Sequence, residues 1–329
     1  MVYMKILFIG GTGNISMASS KRLLAAGHDL WLLTRTGACA ELPAARCLKA
    51  DINDASAIEH LLCGHEWDVV VNWIAFTADD ITRDVALFSG STQQYVFISS
   101  ASCYQNPSDE VWIREGRRLD NPYWEYSQNK ILAEQALMQA YEQSGFPATI
   151  VRPSLTYERV IPLSLGAFNE YTTVARIKAG KEIVVPGDGN ALWTLTHSQD
   201  FAQGICGLLG NRQAIGEDFH ITSDEFLSWN QIYSITAEVL GCEARIVHVT
   251  SDTICALEPR YRGTLLGDKS HSALFDNRKI KLYVPEFAAK ISYRDGIRST
   301  LAWFEEDQDR QRVDIQTDAF IEQLIQTTK

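Results

Sequence analysis

The sequence predicts an α/β protein with a doubly wound parallel sheet and a smaller C-terminal cap. Two observations lead to this prediction. Short apolar segments alternate with amphipathic helical segments through the first half, and a glycine-rich turn follows the first apolar segment. Strands that alternate with helices are typical of parallel βαβ units. With 329 residues, of which 46% are hydrophobic and 22% charged, the chain can bury a substantial core.

The first unit is a strand at Lys5–Ile9, a turn at Gly10–Ser16, and an amphipathic helix that stops at Gly27. Glycines let the backbone approach a pyrophosphate, and the start of the helix supplies N–H groups and positive potential. A tight turn without a ligand uses glycines in the same way. We predict that this turn binds a dinucleotide through Gly10, Gly13, Asn14 and Ile15.

The second strand, Asp29–Leu33, is followed by Thr34 and Arg35. A site that prefers NAD normally places an acidic residue here for the adenosine ribose, and a carboxylate would repel a 2′-phosphate. Arg35 and the Thr34 hydroxyl could bind such a phosphate. The sequence therefore favours NADP(H), with NAD(H) possible; the alternative is an exposed loop arginine.

Further strands and helices complete the alternation. Strands are predicted at Arg46–Ala50, Val69–Trp73, Tyr95–Ser99 and Ala148–Val151, and helices at Ala55–Leu62, Asp80–Ser89 and Trp124–Ser144. Asp51, Asn72 and Ser99–Ser102 fall where strands end. Because ligands of such sheets bind beyond the carboxyl ends of the strands, these positions are candidates for a site.

The second half is less regular. We predict a helix at Asn169–Lys178, a strand at Ile183–Val185, a helix at about Gln199–Leu209, a strand at Asp218–Ile221, helices near Trp229–Leu240 and Gly296–Glu306, and a polar helix or tail over 309–329. The dinucleotide domain is expected at 1–160, rejoined by about 197–225. Residues 161–196 and 226–329 are expected to form mainly the substrate-binding domain and tail.

Tyr126 and Lys130 lie four residues apart in the predicted helix Trp124–Ser144, and so on one face of it. An ammonium beside a phenol favours phenolate and lowers the pKa of the tyrosine. Tyr126 is thus a candidate proton shuttle between an alcohol and a ketone. The alternative is a packed ring beside a solvated charge.

Charge and cysteine use exclude several classes of function. The net charge of −11 argues against general binding to nucleic acid or to an anionic membrane. The seven cysteines are scattered without a CxxC pair, so we expect reduced thiols and no metal site. We identify no signal peptide and no apolar run near the ~20 residues of a membrane span. A cytoplasmic protein is expected.

Several motifs, in order, resemble those of the extended short-chain dehydrogenase/reductases, the family of nucleotide-sugar epimerases, dehydratases and related reductases. The matching segments are Gly10–Ser16, Asp51, Asn72–Ala75, Ser99–Tyr104, Tyr126–Lys130, Arg152-Pro153 and Gly187–Asp200. The resemblance covers most of the chain. It implies a Rossmann-type domain, a nicotinamide dinucleotide, and a Ser/Tyr/Lys site under a C-terminal substrate domain.

The resemblance also implies roles for individual residues. Tyr126 would be the general acid/base, Lys130 would lower its pKa and bind the nicotinamide ribose, and Ser100 would donate to the substrate oxygen. Ser102 is an alternative to Ser100 and a candidate substrate-binding residue.

The rest of the expected cofactor site also follows from the resemblance. Asp51 resembles the residue that contacts the adenine, and Pro153 lies where the family lines the nicotinamide carboxamide. Ile52 and Ala75 complete the expected cofactor-binding set.

Three departures from the family pattern bear on function. Ser16 replaces the third glycine of the turn, so we expect looser helix packing. Ala101-Ser102 stands where 4,6-dehydratases carry an Asp-Glu pair, which disfavours dehydration. Trp193 stands where many members have an arginine near the substrate diphosphate. A tryptophan cannot neutralise phosphate, so a less anionic substrate is expected, one that could stack on the ring.

The resulting hypothesis is an NAD(P)-dependent oxidoreductase or epimerase that acts on a secondary alcohol or ketone of a sugar-like, possibly nucleotide-sugar, substrate. The alternative is a non-catalytic cofactor-binding regulator or RNA-associated protein on the same fold. A homodimer through the helices Asp80–Ser89 and Trp124–Ser144 is possible.

Overall fold

The structure is a computed structural model that describes residues 3–107 and 109–329. The strands are β1 (Lys5–Ile9), β2 (Asp29–Thr34), β3 (Arg46–Lys49), β4 (Val69–Asn72), β5 (Tyr95–Ile98), β6 (Ala148–Pro153), β7 (Leu155–Tyr157), β8 (Glu182–Pro186), β9 (Leu192–Trp193), β10 (Leu195–His197), β11 (Asp218–Ile221), β12 (Leu227–Ser228) and β13 (Arg245–Val249).

The α-helices are α1 (Ser16–Ala25), α2 (Ala55–Leu62), α3 (Ala78–Phe88), α4 (Glu125–Ser144), α5 (Thr172–Lys178), α6 (Ser198–Leu208), α7 (Trp229–Val239), α8 (Ser251–Leu257), α9 (Arg262–Thr264), α10 (Arg278–Tyr283), α11 (Tyr293–Glu305) and α12 (Ile315–Gln326). A π-helical turn covers Leu265–Lys269.

Seven strands form one parallel sheet in the order β11-β6-β5-β4-β1-β2-β3. The strand order reverses between β1 and β4, which is the switch point where such sheets bind ligands. The predicted doubly wound, Rossmann-type fold is confirmed. β11 pairs with β6, so the predicted strand after residue 197 does return to this sheet.

Both faces of the sheet are covered because its strands are apolar on both sides. Phe8 and its neighbours on one face pack in a core that includes Phe201 of α6. Leu7 and Ile9 on the other face pack in a core with Ala133 and Leu137 of α4. This burial on two sides explains the continuous apolar runs of β1, β4 and β5.

The C-terminal cap has its own core, formed around the pair β8 and β13 and the helices α5, α7 and α11. The polar segment 309–329 contains α12, whose Leu324 and Ile325 are buried in a further cluster. This segment is therefore a packed helix and not a free tail. The strands β7, β9, β10, β12 and β13 were not predicted; the first four have only two or three residues, which give little periodic signal.

No helix within the described part of the chain is long and apolar enough to cross a membrane. The seven cysteines are free thiols. Among residues 3–107 and 109–329, no group of three or more His, Cys, Asp or Glu side chains could hold a metal ion. On α4, Leu132 is exposed, and pairing of two subunits there stays a prediction.

A buried ion pair joins the sheet to α4. Arg152 of β6 donates from Nε to Glu134 Oε1 at 2.8 Å and from Nη2 to Glu134 Oε2 at 2.5 Å. The other guanidinium nitrogen, Nη1, donates to Asp218 of β11 at 2.6 Å and to the Tyr104 hydroxyl at 3.1 Å. Glu134 also accepts from Ser99 at the end of β5. One carboxylate therefore fixes α4 against two neighbouring strands.

We predict that Glu134→Ala destabilises the protein by roughly 3–5 kcal/mol, because it leaves the Arg152 guanidinium buried without its main partner. Urea unfolding followed by circular dichroism measures the change.

Glu142→Ala is the matched control, since Glu142 is exposed on the same helix. Its effect should stay within about 0.5 kcal/mol. A loss below about 1 kcal/mol for Glu134→Ala would show that the pair does not hold the two elements together.

Candidate functional site

Two adjoining cavities lie at the carboxyl ends of the strands. The first, about 270 Å³, is lined by Ser100, Ser102, Tyr126 and Trp193 among others. The second is a cleft of about 540 Å³ around the turn Gly10–Ser16. Both are lined by Ser154, Leu155 and Phe168. The two cavities therefore adjoin; we call them the dinucleotide cleft and the substrate cavity, after the ligands that the sequence predicts for them.

The glycine turn has the backbone that a phosphate cradle needs. Gly10 and Gly11 have φ values of 94° and 96°, which L side chains rarely adopt. A Cβ on Gly11 would lie 2.8 Å from Leu32 Cδ2. Both positions therefore favour glycine because of their backbone conformation, and Gly11 also because a Cβ would not fit. The turn leads directly into α1.

Side chains of the turn hold it in place. Asn14 donates to the Thr156 carbonyl at 3.0 Å and accepts from the Arg159 N–H at 2.9 Å. Ile15 precedes α1 and lines the cleft. Ser16 is buried and its hydroxyl accepts from the Gly13 N–H at 2.9 Å. Ser16 is buried, so the looser helix packing expected at this position is not observed. Its hydroxyl is used in a hydrogen bond within the turn.

The ends of β2 and β3 carry the residues predicted to bind the adenosine. Arg35 is exposed directly after β2 and makes no ion pair with any residue that the structure describes. Thr34 accepts from the Gly37 N–H at 3.0 Å. Asp51 is exposed and accepts from the Asn53 N–H at 3.0 Å, and Ile52 is buried beside it. The geometry leaves the Arg35 guanidinium open to solvent.

Lys130 lies in the interior with 2% of its surface exposed. Its ammonium donates to the carbonyls of Ala75 at 2.6 Å and Ile98 at 2.8 Å. Burial lowers the pKa of Lys130 to about 8. The ammonium lies 5.8 Å from the centre of the Tyr126 ring, so the predicted pair is close, but the lysine is anchored to two backbone groups. Ala75 thus contacts Lys130 through its carbonyl oxygen.

The predicted lowering of the Tyr126 pKa is wrong for this structure. Burial raises the pKa of Tyr126 to about 12, against a smaller lowering by a hydrogen bond with Ser100. The physical reason is that burial disfavours the charged phenolate form. Tyr126 is therefore a protonated phenol at neutral pH, bonded to Ser100.

The hydroxyls of the serine cluster are linked to one another. Ser100 and Ser102 lie 2.8 Å apart between their Oγ atoms, and Ser127 donates to the Ser102 hydroxyl at 2.7 Å. Ser100 is the serine that hydrogen-bonds to Tyr126. Ser102 in turn hydrogen-bonds to Ser100. Pro153 lines the same cavity from the end of β6.

Trp193 forms a wall of the substrate cavity, with 3% of its surface exposed. Its indole N–H donates to the His271 carbonyl at 2.9 Å, and its ring lies 5.5 Å from that of Trp229. The residue is built into the cap. Stacking of a substrate on Trp193 stays a prediction.

The sequence did not indicate Asp268 and Lys269, which the structure places on the substrate cavity. Their carboxylate and ammonium lie 3.8 Å apart. Burial raises the pKa of Asp268 to about 6 and lowers that of Lys269. An Asp-Lys dipeptide in an irregular segment gives no motif, although π-helical turns are frequent at functional sites.

The segment that carries this pair is clamped by three side chains. Asn121 donates to the Gly267 carbonyl at 2.7 Å, Trp229 to that of Lys269 at 3.0 Å, and Trp193 to that of His271. Asn121 also donates to the Ser102 carbonyl at 2.8 Å. The cap and the serine cluster are therefore held in one arrangement across the substrate cavity.

Comparison with known proteins agrees with this geometry. Residues 81–222 match the model of the NAD dependent epimerase/dehydratase family. The chain is 25% identical over 239 residues to the 2′-dehydrokanamycin reductase of Streptomyces kanamyceticus, covering 72% of this chain and 67% of the relative. It is 28% identical over 260 residues to the chloroplast stem-loop binding protein of 41 kDa b of Arabidopsis thaliana, covering 74% of this chain and 65% of that protein.

Solved structures show the same fold. The dTDP-glucose 4,6-dehydratase of Bacillus anthracis in complex with NAD superposes with a TM-score of 0.74 at 20% identity, covering 94% of this chain and 98% of that one. The UDP-glucuronic acid 4-epimerase of Bacillus cereus in complex with NAD superposes with a TM-score of 0.72 at 17% identity, covering 92% and 97%. Residues 81–222 are thus similar to the NAD dependent epimerase/dehydratase family, and the whole chain shares the fold of these solved structures.

Proposed function

We propose that the chain is an NAD(P)-dependent oxidoreductase or epimerase that acts on a secondary alcohol or ketone of a sugar-like substrate through Ser100, Tyr126 and Lys130. The observation that carries the proposal is the shared wall of the two cavities. Tyr126 and Ser100 line the substrate cavity, which adjoins the dinucleotide cleft at Ser154 and Leu155. A substrate oxygen beside Tyr126 thus lies within reach of a ligand held by the glycine turn.

The residues present fit a nicotinamide dinucleotide. Gly10 and Gly11 leave the backbone open to a pyrophosphate, Arg35 is free for a 2′-phosphate, and Pro153 lines the wall towards the substrate. When bound, this cofactor supplies or accepts the hydride. NADP(H) is preferred in this proposal because no acidic residue follows β2 directly and Arg35 does.

In the reductive direction Tyr126 acts as the acid. The protonated phenol donates to the carbonyl oxygen as negative charge develops there, and the Ser100 hydroxyl donates to the same oxygen. The phenolate that results on Tyr126 is stabilised by the Lys130 ammonium on the next helical turn. In the oxidative direction the same groups act in reverse, with phenolate as the base.

Reduction or epimerisation is favoured over 4,6-dehydration. Elimination needs a base for the C5 proton and an acid for the leaving hydroxyl, and Ala101 and Ser102 supply neither. Asp268 is the sole carboxylate among the described residues that line the substrate cavity. The 2′-dehydrokanamycin reductase is named for carbonyl reduction, which supports the reductase form of the proposal.

A second candidate is a non-catalytic cofactor-binding protein that associates with RNA. The similarity to the chloroplast stem-loop binding protein favours it. The net charge of −11 and the complete Ser100, Tyr126 and Lys130 set count against it, because RNA binding relies on basic surface.

Tyr126→Phe should lower kcat for carbonyl reduction by about 10²–10⁴-fold and leave dinucleotide binding unchanged, since only the hydroxyl that carries the transferable proton is removed. The measurement is NADPH oxidation with keto sugars, beginning with 2′-dehydrokanamycin, together with calorimetry of the cofactor.

Tyr123→Phe serves as the control, because Tyr123 is exposed three residues earlier and should keep wild-type rates. Full activity of Tyr126→Phe would remove Tyr126 from the mechanism. RNA binding without any turnover would support the second candidate.

The rate of reduction should fall as the pH rises through about 8. The pKa of Lys130 is lowered to about 8, so its charge is present below that pH and lost above it. Without the ammonium, phenolate on Tyr126 is less stable and donation of its proton is harder. Lys130→Met should be slower at pH 7 and lack this inflection; if the variant keeps the inflection, another group is responsible.

Calorimetry should show that NADPH binds about 10 to 100-fold more tightly than NADH, as expected for a charge-assisted hydrogen bond to Arg35. Arg35→Ala should lose this preference. Arg46→Ala, a change of an exposed arginine at the amino end of the neighbouring strand β3, should keep it. Tighter binding of NADH by the unchanged protein would overturn the assignment of Arg35.

A further inference from the structure

A third cavity of about 390 Å³ adjoins the substrate cavity. Phe168 and Lys269 line both. The ammonium of Lys269 lies 5.5 Å from the centre of the Phe168 ring, and Phe168 is 40% exposed. We call this third space the outer cavity. The two cavities therefore adjoin at an aromatic face and an ammonium.

The charges on these two cavities do not suit a diphosphate. Their described lining contains three carboxylates and two strong cations, namely Asp268, Glu170, Asp314, Lys269 and Arg260. Lys269 is paired with Asp268, and burial lowers the pKa of the neighbouring His271. A diphosphate here would be desolvated without a surplus of positive charge, which is strongly unfavourable.

Glu170 points to the kind of group that the outer cavity takes. Its Oε1 is buried and has no hydrogen-bond partner within the described part of the chain. Its Oε2 accepts from Thr317 at 3.4 Å. Gly166 makes room for the carboxylate, because a Cβ there would overlap it. Burial raises the pKa of Glu170, against smaller lowerings by hydrogen bonds from the Ala167 backbone, Thr317 and Thr172.

Asp314 is not available in the same way, since it accepts from the Thr317 N–H at 2.6 Å as the cap of α12. Arg260 is paired with Glu258, since its Nε lies 3.8 Å from Glu258 Oε2. Glu170 is therefore the acidic group of the outer cavity that a ligand donor would satisfy.

We propose that the substrate is a glycoside of at least two rings that bears hydroxyl or ammonium groups and no nucleoside diphosphate, with its reacting ring beside Tyr126 and its next ring in the outer cavity against Glu170. The proposal rests on the proposed function for the reacting ring. The Asp268 and Lys269 pair accepts from and donates to hydroxyls of the first ring. Phe168 offers its face to the linkage between the rings.

Binding to NADP⁺-loaded protein tests this without requiring turnover. The probes are glucosamine, its β-1,4-linked dimer and UDP-glucose, titrated by calorimetry. We expect the dimer to bind at least about tenfold more tightly than the monomer and more tightly than UDP-glucose. Glu170→Gln should weaken the dimer at least about fivefold and leave the monomer within about twofold, because an amide does not pair with the second ammonium.

Glu243→Gln is the matched control, as Glu243 is exposed on the cap and lines neither cavity. It should bind all probes as the unchanged protein does. Tighter binding of UDP-glucose, equal binding of monomer and dimer, no binding of any probe, or no effect of Glu170→Gln would each overturn the proposal. Loss of reduction in Tyr126→Phe is a separate measurement, so failure of the reaction and failure of the substrate class are distinguishable.

Discussion

The buried pair of Arg152 and Glu134 is the constraint on which the site depends. Glu134 lies on α4, two turns beyond Tyr126, and also accepts from Ser99, the residue before Ser100. Arg152 directly precedes Pro153, which lines the substrate cavity. One ion pair therefore sets the spacing between the strand end that carries Ser100 and the helix that carries Tyr126. Its two charges compensate each other in the interior, where either alone would be costly.

Burial then gives the two central groups their protonation states. It raises the pKa of Tyr126 and lowers that of Lys130, since in both cases the charged form is disfavoured. The two shifts move the pKa values of the groups apart, to about 12 for Tyr126 and about 8 for Lys130, which is the opposite of what the sequence suggested for the tyrosine. In the proposed reduction, this neutral phenol becomes phenolate as it gives its proton to the substrate oxygen.

The fold could be predicted because its signal is local. Apolar runs on strands buried on both faces, separated by amphipathic helices and one glycine turn, located the strands of the main sheet to within one or two residues. The grouping of Tyr126, Lys130 and Ser100 could be predicted because they belong to short motifs, and their catalytic role stays a prediction. Asp268 and Lys269 could not, because their position depends on contacts from Asn121, Trp193 and Trp229, which are distant in sequence.

Trp193 shows how a single departure from a family pattern acquires meaning from its surroundings. From the sequence alone, Trp193 suggested only that the substrate carries less negative charge. In the structure it is packed against Trp229 and clamps the segment that carries Asp268 and Lys269. Unlike the arginine that the family resemblance implies at this position, the clamp offers no charge to a phosphate, and it fixes a paired carboxylate and ammonium in the same cavity. Such a pair suits hydroxyl groups, which both donate and accept, better than it suits an anion.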